Sequence, residues 1–250
     1  MEPIIFATYV TDENWLNICA KPLEKSFKYF HPDVPFRIFL PNEVNGKFSV
    51  DPQANIRNLK PLLGKQLRDQ YKKVILLDAD QIVVGPLNRI MEEDFDIVGI
   101  RNNTDWNTAG GMQGFCTPQI SWQMYVNGGL TGIANYSAWD KWDHLNRNHL
   151  PGVDDEQSTF NELFYHFGYK SSLLDPIESL VHYGVSAPAP SWVGTFMEGD
   201  KIMIDMRGYI REMKIFHPAG GGYIAPCTGK FSLDEWFPKD VSIRIKEIIK

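Results

Sequence analysis

Two aspartates interrupt an otherwise apolar stretch of the chain. Asp78 and Asp80 stand between the apolar residues 74–77 and 82–84, and a Gly-Pro pair follows. An apolar run bounded by turn residues predicts a buried strand of a parallel sheet. A buried charge is costly there unless it is paired or bound to a cation. Because side chains alternate along an extended strand, both carboxylates should point the same way, roughly 6.5 Å apart at Cα. The pair therefore predicts a divalent-cation site at the carboxyl end of a strand, where open α/β sheets bind ligands.

A histidine further along the chain is a candidate third ligand. His217 follows the short apolar segment MKIF and precedes a glycine-rich run. Two carboxylates and an imidazole suit Mn²⁺ better than Ca²⁺, and Mg²⁺ is acceptable if water fills the remaining positions. Two simpler interpretations stay open. The aspartates could cap a turn or pair with the nearby basic residues Lys72, Lys73 and Arg89, and His217 could be a hydrogen-bonded core residue.

The elements that would position these residues alternate regularly in the first half of the chain. Apolar periodicity predicts strands at 4–10, 36–40 and 74–84 and helices at 16–30 and 59–71. Asp12 or Asn14 should cap the first helix, and Pro22 should kink or split it. The order strand, helix, strand, helix, strand is typical of one half of a doubly wound sheet.

The second half of the chain has less regular signals. It contains predicted strands at 97–100, 124–133, 202–204 and 213–216, predicted helices at 137–148, 154–167 and from Asp240 as a cap, and long predicted loops at 101–123 and 184–199. Gly128 and Gly129 interrupt one of these strands, which indicates that another group approaches the backbone closely there. The predicted fold class is α/β, a single Rossmann-like domain over residues 1–250 with a mostly parallel central sheet flanked by helices.

Composition argues against several classes of function. The 250 residues carry a net charge of −6 and no basic run, which disfavours a non-specific polyanion-binding surface. The three cysteines lack metal-like spacing, which suits a reducing compartment. The first residues lack the features of a signal peptide, and no apolar run approaches the ~20 residues needed to span a bilayer. We therefore expect a soluble, cytoplasmic protein without a membrane span.

With these residues placed, the sequence resembles the glycosyltransferases of the GT-A fold, most closely glycosyltransferase family 8, the glycogenin and lipopolysaccharide galactosyltransferase group. The segment QYKKVILLDADQIVV is similar to the family's apolar strand with an Asp-x-Asp motif. The resemblance implies that Asp78, Ala79 and Asp80 bind the donor diphosphate, the two aspartates through a metal. His217 and Gly220 resemble the His-x-x-Gly element that supplies the third metal ligand, so the implied cofactor is Mn²⁺ or Mg²⁺.

The nucleoside-binding residues implied by the resemblance lie in the first strand-to-helix turn. The segment TYVTDENW is similar to the family's turn at this place. It implies donor contacts from Thr8, Tyr9, Thr11, Asp12 and Trp15. The tryptophan stands where the family often stacks a tyrosine on the base.

The sugar-binding and catalytic residues are implied by two later segments. VNGGLTGI is similar to the family's strand that contacts the sugar, which carries over Asn127 and Gly128 as donor-binding residues. DEQSTFNELF resembles the helix start near the anomeric carbon, which carries over Asp155, Glu156 and Gln157 as catalytic residues. Residues 1–100 would then form the nucleotide-binding half, and residues 101–250 the sugar and acceptor half.

The chain departs from the family pattern at three places. Ser158 replaces the last residue of the family's Asp-Gln-Asp element, and a Gly-Gly-Tyr-Ile run replaces the Lys-Pro-Trp that usually follows His-x-x-Gly. The lysine expected early in the helix before Asp-x-Asp falls near Leu62. Its possible substitutes are Lys60, Lys65 and Arg68.

The implied function is transfer of a sugar from a nucleoside diphosphate sugar, with UDP-sugars favoured, to a glycan, a protein, a small molecule or a modified nucleobase. The resemblance also implies retention of configuration at the anomeric carbon. One alternative is a haloacid-dehalogenase-like phosphatase with Asp78 as its nucleophile, although that motif normally follows the first strand of its fold. Another is a GT-A domain that binds nucleotide sugar or glycan without turnover.

Overall fold

The computed structural model describes residues 2–40, 42–43, 59–101, 124–148, 156–175, 178–181, 193–206, 208–218 and 233–250. Its strands are β1 Glu2–Tyr9, β2 Phe36–Phe39, β3 Tyr71–Leu77, β4 Ile82–Val83, β5 Ile97–Arg101, β6 Val126–Ile133, β7 Ser171–Leu174, β8 Ser179–Val181, β9 Val193–Glu198, β10 Lys201–Met206, β11 Tyr209–Glu212 and β12 Ile215–His217. Its helices are α1 Glu13–Trp15, α2 Lys21–Phe30, α3 Leu59–Leu67, α4 Asn88–Glu92, α5 Tyr136–Asn148, α6 Glu156–His166, α7 Leu233–Trp236 and α8 Lys239–Ile248.

The main sheet has six strands in the order β2-β1-β3-β6-β5-β7. All neighbouring pairs are parallel except those that involve β6, which runs antiparallel to both β3 and β5. The predicted α/β fold with a mostly parallel sheet is therefore confirmed. The predicted strand-helix-strand-helix-strand half is also confirmed, because β2 and β3 lie on opposite sides of β1. The strand order therefore reverses at β1, and sheets of this kind bind ligands beyond the carboxyl ends of the strands at such a point.

The core has a layer on each face of the main sheet, so β3 is buried on both sides. Val74 and Leu76 contribute to the layer that contains Trp139 and Trp142 of α5. Ile75 and Leu77 contribute to the opposite layer, together with Phe27 of α2 and other apolar residues. This double burial explains why the sequence of β3 is continuously apolar.

The prediction that residues 74–84 form one extended strand is wrong. β3 ends at Leu77, and the chain turns through Asp78–Gln81, where the Gln81 amide donates to the Asp78 carbonyl over 3.2 Å. The following β4 belongs to a separate sheet of order β4-β12-β8. The two aspartates therefore occupy a turn between two sheets, and their common direction does not arise from strand alternation.

The first helix agrees with the prediction in its cap and in its interruption. The Asp12 carboxylate accepts a hydrogen bond from the Trp15 amide over 2.9 Å, so Asp12 rather than Asn14 is the cap. A π-helical segment at Leu16–Ala20 separates α1 from α2, which begins immediately before Pro22. Because proline has no N–H to donate, the regular hydrogen-bond pattern cannot continue through it.

Several elements of the second half differ from the prediction. The predicted loop 184–199 contains β9 at its end, paired with β10 in an antiparallel meander β9-β10-β11, while residues 184–192 lie outside the described part. Pro238 precedes α8 as its cap residue, so the predicted cap Asp240 lies inside the first turn. The predicted loop 101–123 lies almost entirely outside the described residues. No helix in the described part of the chain is long and apolar enough to cross a membrane.

Candidate metal centre

Three potential metal ligands converge at the carboxyl end of β3. One ligand atom each from Asp78, Asp80 and His217 lies within 4.8 Å of the others. The His217 Nε2 atom lies 3.2 Å from Asp80 Oδ1 and 3.5 Å from Asp78 Oδ2. Two carboxylates and an imidazole nitrogen form a donor set that Mn²⁺ accepts well and that Mg²⁺ accepts with added water. The side chains therefore fit the cation that the sequence predicted.

Strand pairing explains how His217 reaches the aspartates. β12 pairs antiparallel with β4, and Phe216 stands opposite Ile82. The next residue of β12, His217, therefore faces the end of the turn that carries the aspartates. Its side chain is buried at 3% exposure. Burial disfavours the charged imidazolium, but Asp80 and then Asp78 outweigh this effect and raise the pKa of His217. The two carboxylates thus favour a positive charge at this place, which a bound cation would also supply.

A buried lysine connects Asp78 to the start of α6. Lys60 Nζ lies 2.7 Å from Asp78 Oδ1 and 2.8 Å from Glu156 Oε1, and it donates to the Gly128 carbonyl over 2.6 Å. Burial disfavours its charge, but Asp78 and Glu156 outweigh this and raise the pKa of Lys60 well above its ordinary value. Lys60 is therefore a charged component of the site.

The structure decides among Lys60, Lys65 and Arg68, the three basic residues on α3 or directly after it that the sequence left open. Lys65 pairs with Asp140 and Asp143 on α5, and Arg68 pairs with Asp140. Of the three residues, Lys60 is therefore the one that contacts the candidate metal ligands.

The simpler interpretation of the aspartates, pairing with basic neighbours in sequence, is not what the structure shows. Lys73 donates to the carbonyls of Met91 and Glu93, and Arg89 forms ion pairs with Glu93 and Glu178. Lys72 is exposed. The ion-pair partners of Asp78 and Asp80 in the described part of the chain instead come from residues distant in sequence.

The backbone of β6 bulges beside the metal centre. Gly99 of β5 pairs with Thr131, but the next residue of β5 pairs with Asn127, so the residues in between have no partner on β5. At the bulge, backbone amides bond to side chains instead of to β5. The Gly128 amide donates to Gln157 Oε1 over 2.5 Å. The Asn127 side chain accepts from the Gly129 amide over 2.8 Å. The predicted residues Asn127, Gly128 and Gln157 are thus brought together.

The close approach predicted at the glycine pair is made at Gly129 by His217, one of the candidate metal ligands. A Cβ atom added to Gly129 would lie 2.3 Å from His217 Cε1, which is much shorter than any normal contact. The Gly129 carbonyl accepts from the Asp78 amide and from Gln81 Nε2, both over 2.9 Å. Sequence reasoning missed Gln81, although its position directly after the Asp-x-Asp motif was a usable signal.

The first strand-to-helix turn borders the same site. Tyr9 is partly buried, and this burial, followed by the charge of Glu156, holds the pKa of Tyr9 well above its usual value. Trp15 and Ala79 pack against the same small apolar cluster of Val10, Leu16 and Ala20. The turn therefore lies next to the Asp-x-Asp turn.

The remaining predicted site residues differ in their exposure to solvent. Thr8 is buried at 1% exposure, while Thr11 is partly exposed and Asp12 is exposed. Glu156 is buried at the start of α6. Asp155 and Gly220 lie outside the described residues. The roles predicted for all these residues stay predictions.

No family model matches the chain, and no curated protein matches it. Solved structures do. A glycosyltransferase involved in glycosylation of the major capsid of PBCV-1 aligns with a TM-score of 0.55 at 12% identity over 91% of this chain and 98% of its own. An active-site Gln-to-Glu variant of LgtC aligns with a TM-score of 0.56 at 14% identity over 98% and 94%. The bifunctional WbbM aligns with a TM-score of 0.53 at 11% identity over 99% of this chain and 51% of its own.

The chain has the GT-A fold. This likeness extends over nearly the whole sequence, and the Asp-x-Asp turn follows the third strand in chain order, β3, in the centre of the sheet. Because one fold supports many activities, the reaction has to be inferred from the site.

Proposed function

We propose that the protein is a metal-dependent glycosyltransferase that moves a sugar from a nucleoside diphosphate sugar to an acceptor. The observation that carries the proposal is the convergence of Asp78, Asp80 and His217 beside the bulged glycines of β6 in a GT-A sheet. The set supports a site for a diphosphate and its cation. The solved structures that share the fold, among them LgtC with donor and acceptor sugar analogues, are consistent with this reaction class.

A Mn²⁺ or Mg²⁺ ion held by these three residues would stabilise the negative charge that builds up on the diphosphate leaving group. Lys60 places a second positive charge next to Asp78. Because Lys60 also holds Glu156 and the Gly128 carbonyl, it fixes the distance between the metal centre and the start of α6. We propose that Asp155, Glu156 and Gln157 hold the sugar near its anomeric carbon.

The finer assignments rest on the resemblance to glycosyltransferase family 8. We propose a UDP-sugar donor whose nucleoside contacts Thr8, Tyr9, Thr11, Asp12 and Trp15, and a reaction with retention of configuration. The packing of Trp15 and Ala79 against one apolar cluster supports a continuous donor site across the two turns. The first 100 residues would bind the nucleotide, and the rest would bind the sugar and the acceptor.

Thermal unfolding of the purified protein against a panel of nucleoside diphosphates and nucleotide sugars, with and without Mn²⁺, tests this proposal. A ligand at 100 times its Kd stabilises the folded state by about 2.7 kcal/mol, which gives a clear shift of the midpoint. We expect a shift with one UDP-sugar that requires metal and is lost in Asp80→Asn.

Other outcomes would point to the alternatives. A response to metal with a phosphate mimic, and to no nucleotide, would favour the phosphatase. A metal-dependent shift without release of the nucleoside diphosphate, across a panel of acceptors, would favour a binding domain without turnover.

A further inference from the structure

Gln81 is a buried polar residue beside the metal centre to which the proposed function assigns no role. Its side chain is 2% exposed, and its Nε2 donates to the Gly129 carbonyl over 2.9 Å. A carbonyl can only accept hydrogen bonds, so this contact fixes the orientation of the amide. The other end of the amide, Oε1, is buried and has no hydrogen-bond partner in the described part of the chain. Buried acceptors of this kind are rare and require an explanation.

His217 has a matching buried atom. Its Nε2 faces Asp78 and Asp80, while its Nδ1 is buried and has no hydrogen-bond partner within the described residues. A neutral imidazole that binds a cation through the lone pair of Nε2 carries its proton on Nδ1. That N–H is a donor, and the second nitrogen of a metal-bound histidine almost always donates to a carboxylate, a carbonyl or water.

The two groups flank the same glycine. A Cβ atom added to Gly129 would lie 2.6 Å from Gln81 Nε2 and 2.6 Å from His217 Nδ1. The absence of a side chain at Gly129 therefore lets the amide and the imidazole approach each other across the backbone. One supplies an acceptor without a donor, and the other supplies a donor without an acceptor.

These two atoms form no hydrogen bond with each other in this structure. We propose that the bond forms when Nε2 of His217 binds a cation, so that Gln81 Oε1 accepts from Nδ1–H and fixes the tautomer that presents Nε2 to the cation. Gln81 is then a positioning residue, which acts on the metal through His217. This inference rests on the proposed metal site. The competing view is that Gln81 only tethers the β6 bulge through its bond to the Gly129 carbonyl.

Two substitutions separate these views. Gln81→Met keeps the length of the side chain but removes both the donor and the acceptor. Gln81→Glu keeps an acceptor while it removes the amide donor to Gly129. The exposed Gln66 on α3 provides a matched control, Gln66→Met. Affinity for Mn²⁺ alone, measured by electron paramagnetic resonance of the free ion, is the first measurement.

We expect Gln81→Met to bind Mn²⁺ at least about tenfold more weakly than the wild type, in the range typical for loss of such a partner. Gln81→Glu and Gln66→Met should bind Mn²⁺ no more than about threefold more weakly than the wild type. The second measurement is nuclear magnetic resonance of ¹⁵N-histidine-labelled protein loaded with Zn²⁺, which is diamagnetic. The Nδ1–H proton of His217 should be protected from exchange in the wild type and in Gln81→Glu, and not in Gln81→Met.

The possible failures can be told apart. If the wild type binds no Mn²⁺, the metal site itself is wrong and this inference falls with it. If the wild type binds Mn²⁺ but Gln81→Met binds it equally well with a protected Nδ1–H, only the inference is overturned. Equal weakening in Gln81→Met and Gln81→Glu would also overturn it, because the lost tether to Gly129 would then account for the effect.

Discussion

Replacement of Lys60 by methionine tests whether the metal centre and the start of α6 are held together by a buried charge. Methionine has a similar length and no charge, so the substitution removes the ammonium while it retains most of the packing. Asp78 and Glu156, which lie 2.7 and 2.8 Å from Nζ, both lose their counter-charge. The Gly128 carbonyl loses its donor as well.

The expected cost follows from the burial of the partners. Removal of one member of a buried ion pair costs about 3–5 kcal/mol. The Glu156 side chain is 11% exposed and belongs to this class, whereas Asp78 is 32% exposed and is partly screened by solvent. We therefore expect Lys60→Met to lower the free energy of unfolding by about 3 kcal/mol, at the lower end of that range. For a chain of this size, that corresponds to a midpoint lower by roughly 6–12 °C.

The same helix offers a matched control. Lys65 also contacts two carboxylates, but its side chain is 30% exposed and that of Asp140 is 51% exposed. The other carboxylate, Asp143, is 12% exposed but keeps a second ion pair with Arg147 at 2.9 Å. Exposed pairs contribute about 0–1 kcal/mol, so Lys65→Met should shift the midpoint only slightly. Unfolding by heat and by urea, in the absence of metal, measures both variants. Equal costs for Lys60→Met and Lys65→Met would refute the reasoning.

A second substitution identifies the source of the cost. In Lys60→Met, the uncompensated carboxylate of Glu156 should be the main liability, because it is the more deeply buried partner. Glu156→Gln removes that charge, so the double variant should be more stable than the sum of the two single costs predicts. A double-mutant cycle measures this coupling. Strict additivity would show that Lys60 does not interact with Glu156.

Three further outcomes are expected. Asp80→Asn should retain the fold and lose both the stabilisation by Mn²⁺ and sugar transfer; unchanged turnover with metal present would contradict the site. Gly129→Ala should displace the His217 ring, since its Cβ would lie 2.3 Å from Cε1, and should cost about 1–3 kcal/mol together with metal affinity. Gly194→Ala, whose Cβ would have ordinary contacts, is its control in denaturation and Mn²⁺ titration. Burial lowers the pKa of His31, whose Nε2 accepts a hydrogen bond from the Leu87 amide. The unfolded state therefore binds more protons below about pH 6.5, and the free energy of unfolding should fall as the pH decreases through that range. His31→Gln should flatten this part of the pH–stability profile, and an unchanged slope would show that His31 does not cause it.

Hydrophobic periodicity determined much of the fold. The alternation of strands and helices up to β3 follows from local patterns of apolar residues, which bury one face of a helix or both faces of a central strand. The cap at Asp12 and the interruption at Pro22 are likewise local, because they depend on hydrogen bonds within one turn. Asp78 and Asp80 were identifiable because charges are rare inside an apolar run.

Strand pairing was decided only in the tertiary structure. The short strands β9 and β11 have little periodicity of their own and form through pairing with β10. The apolar segments before and after the Asp-x-Asp turn look alike in sequence, yet they join different sheets because their partners, β6 and β12, lie far away along the chain.

The sequence by itself thus determined the order of the central elements and the identity of the three metal-ligand candidates. Only the tertiary structure decided that Lys60, and not Lys65 or Arg68, enters the site, because these residues lie on α3 or directly after it and only one face of the helix meets the turn. It also decided that the imidazole of His217 packs on Gly129. Contacts between residues so far apart depend on sheet registers, which local residue patterns do not specify.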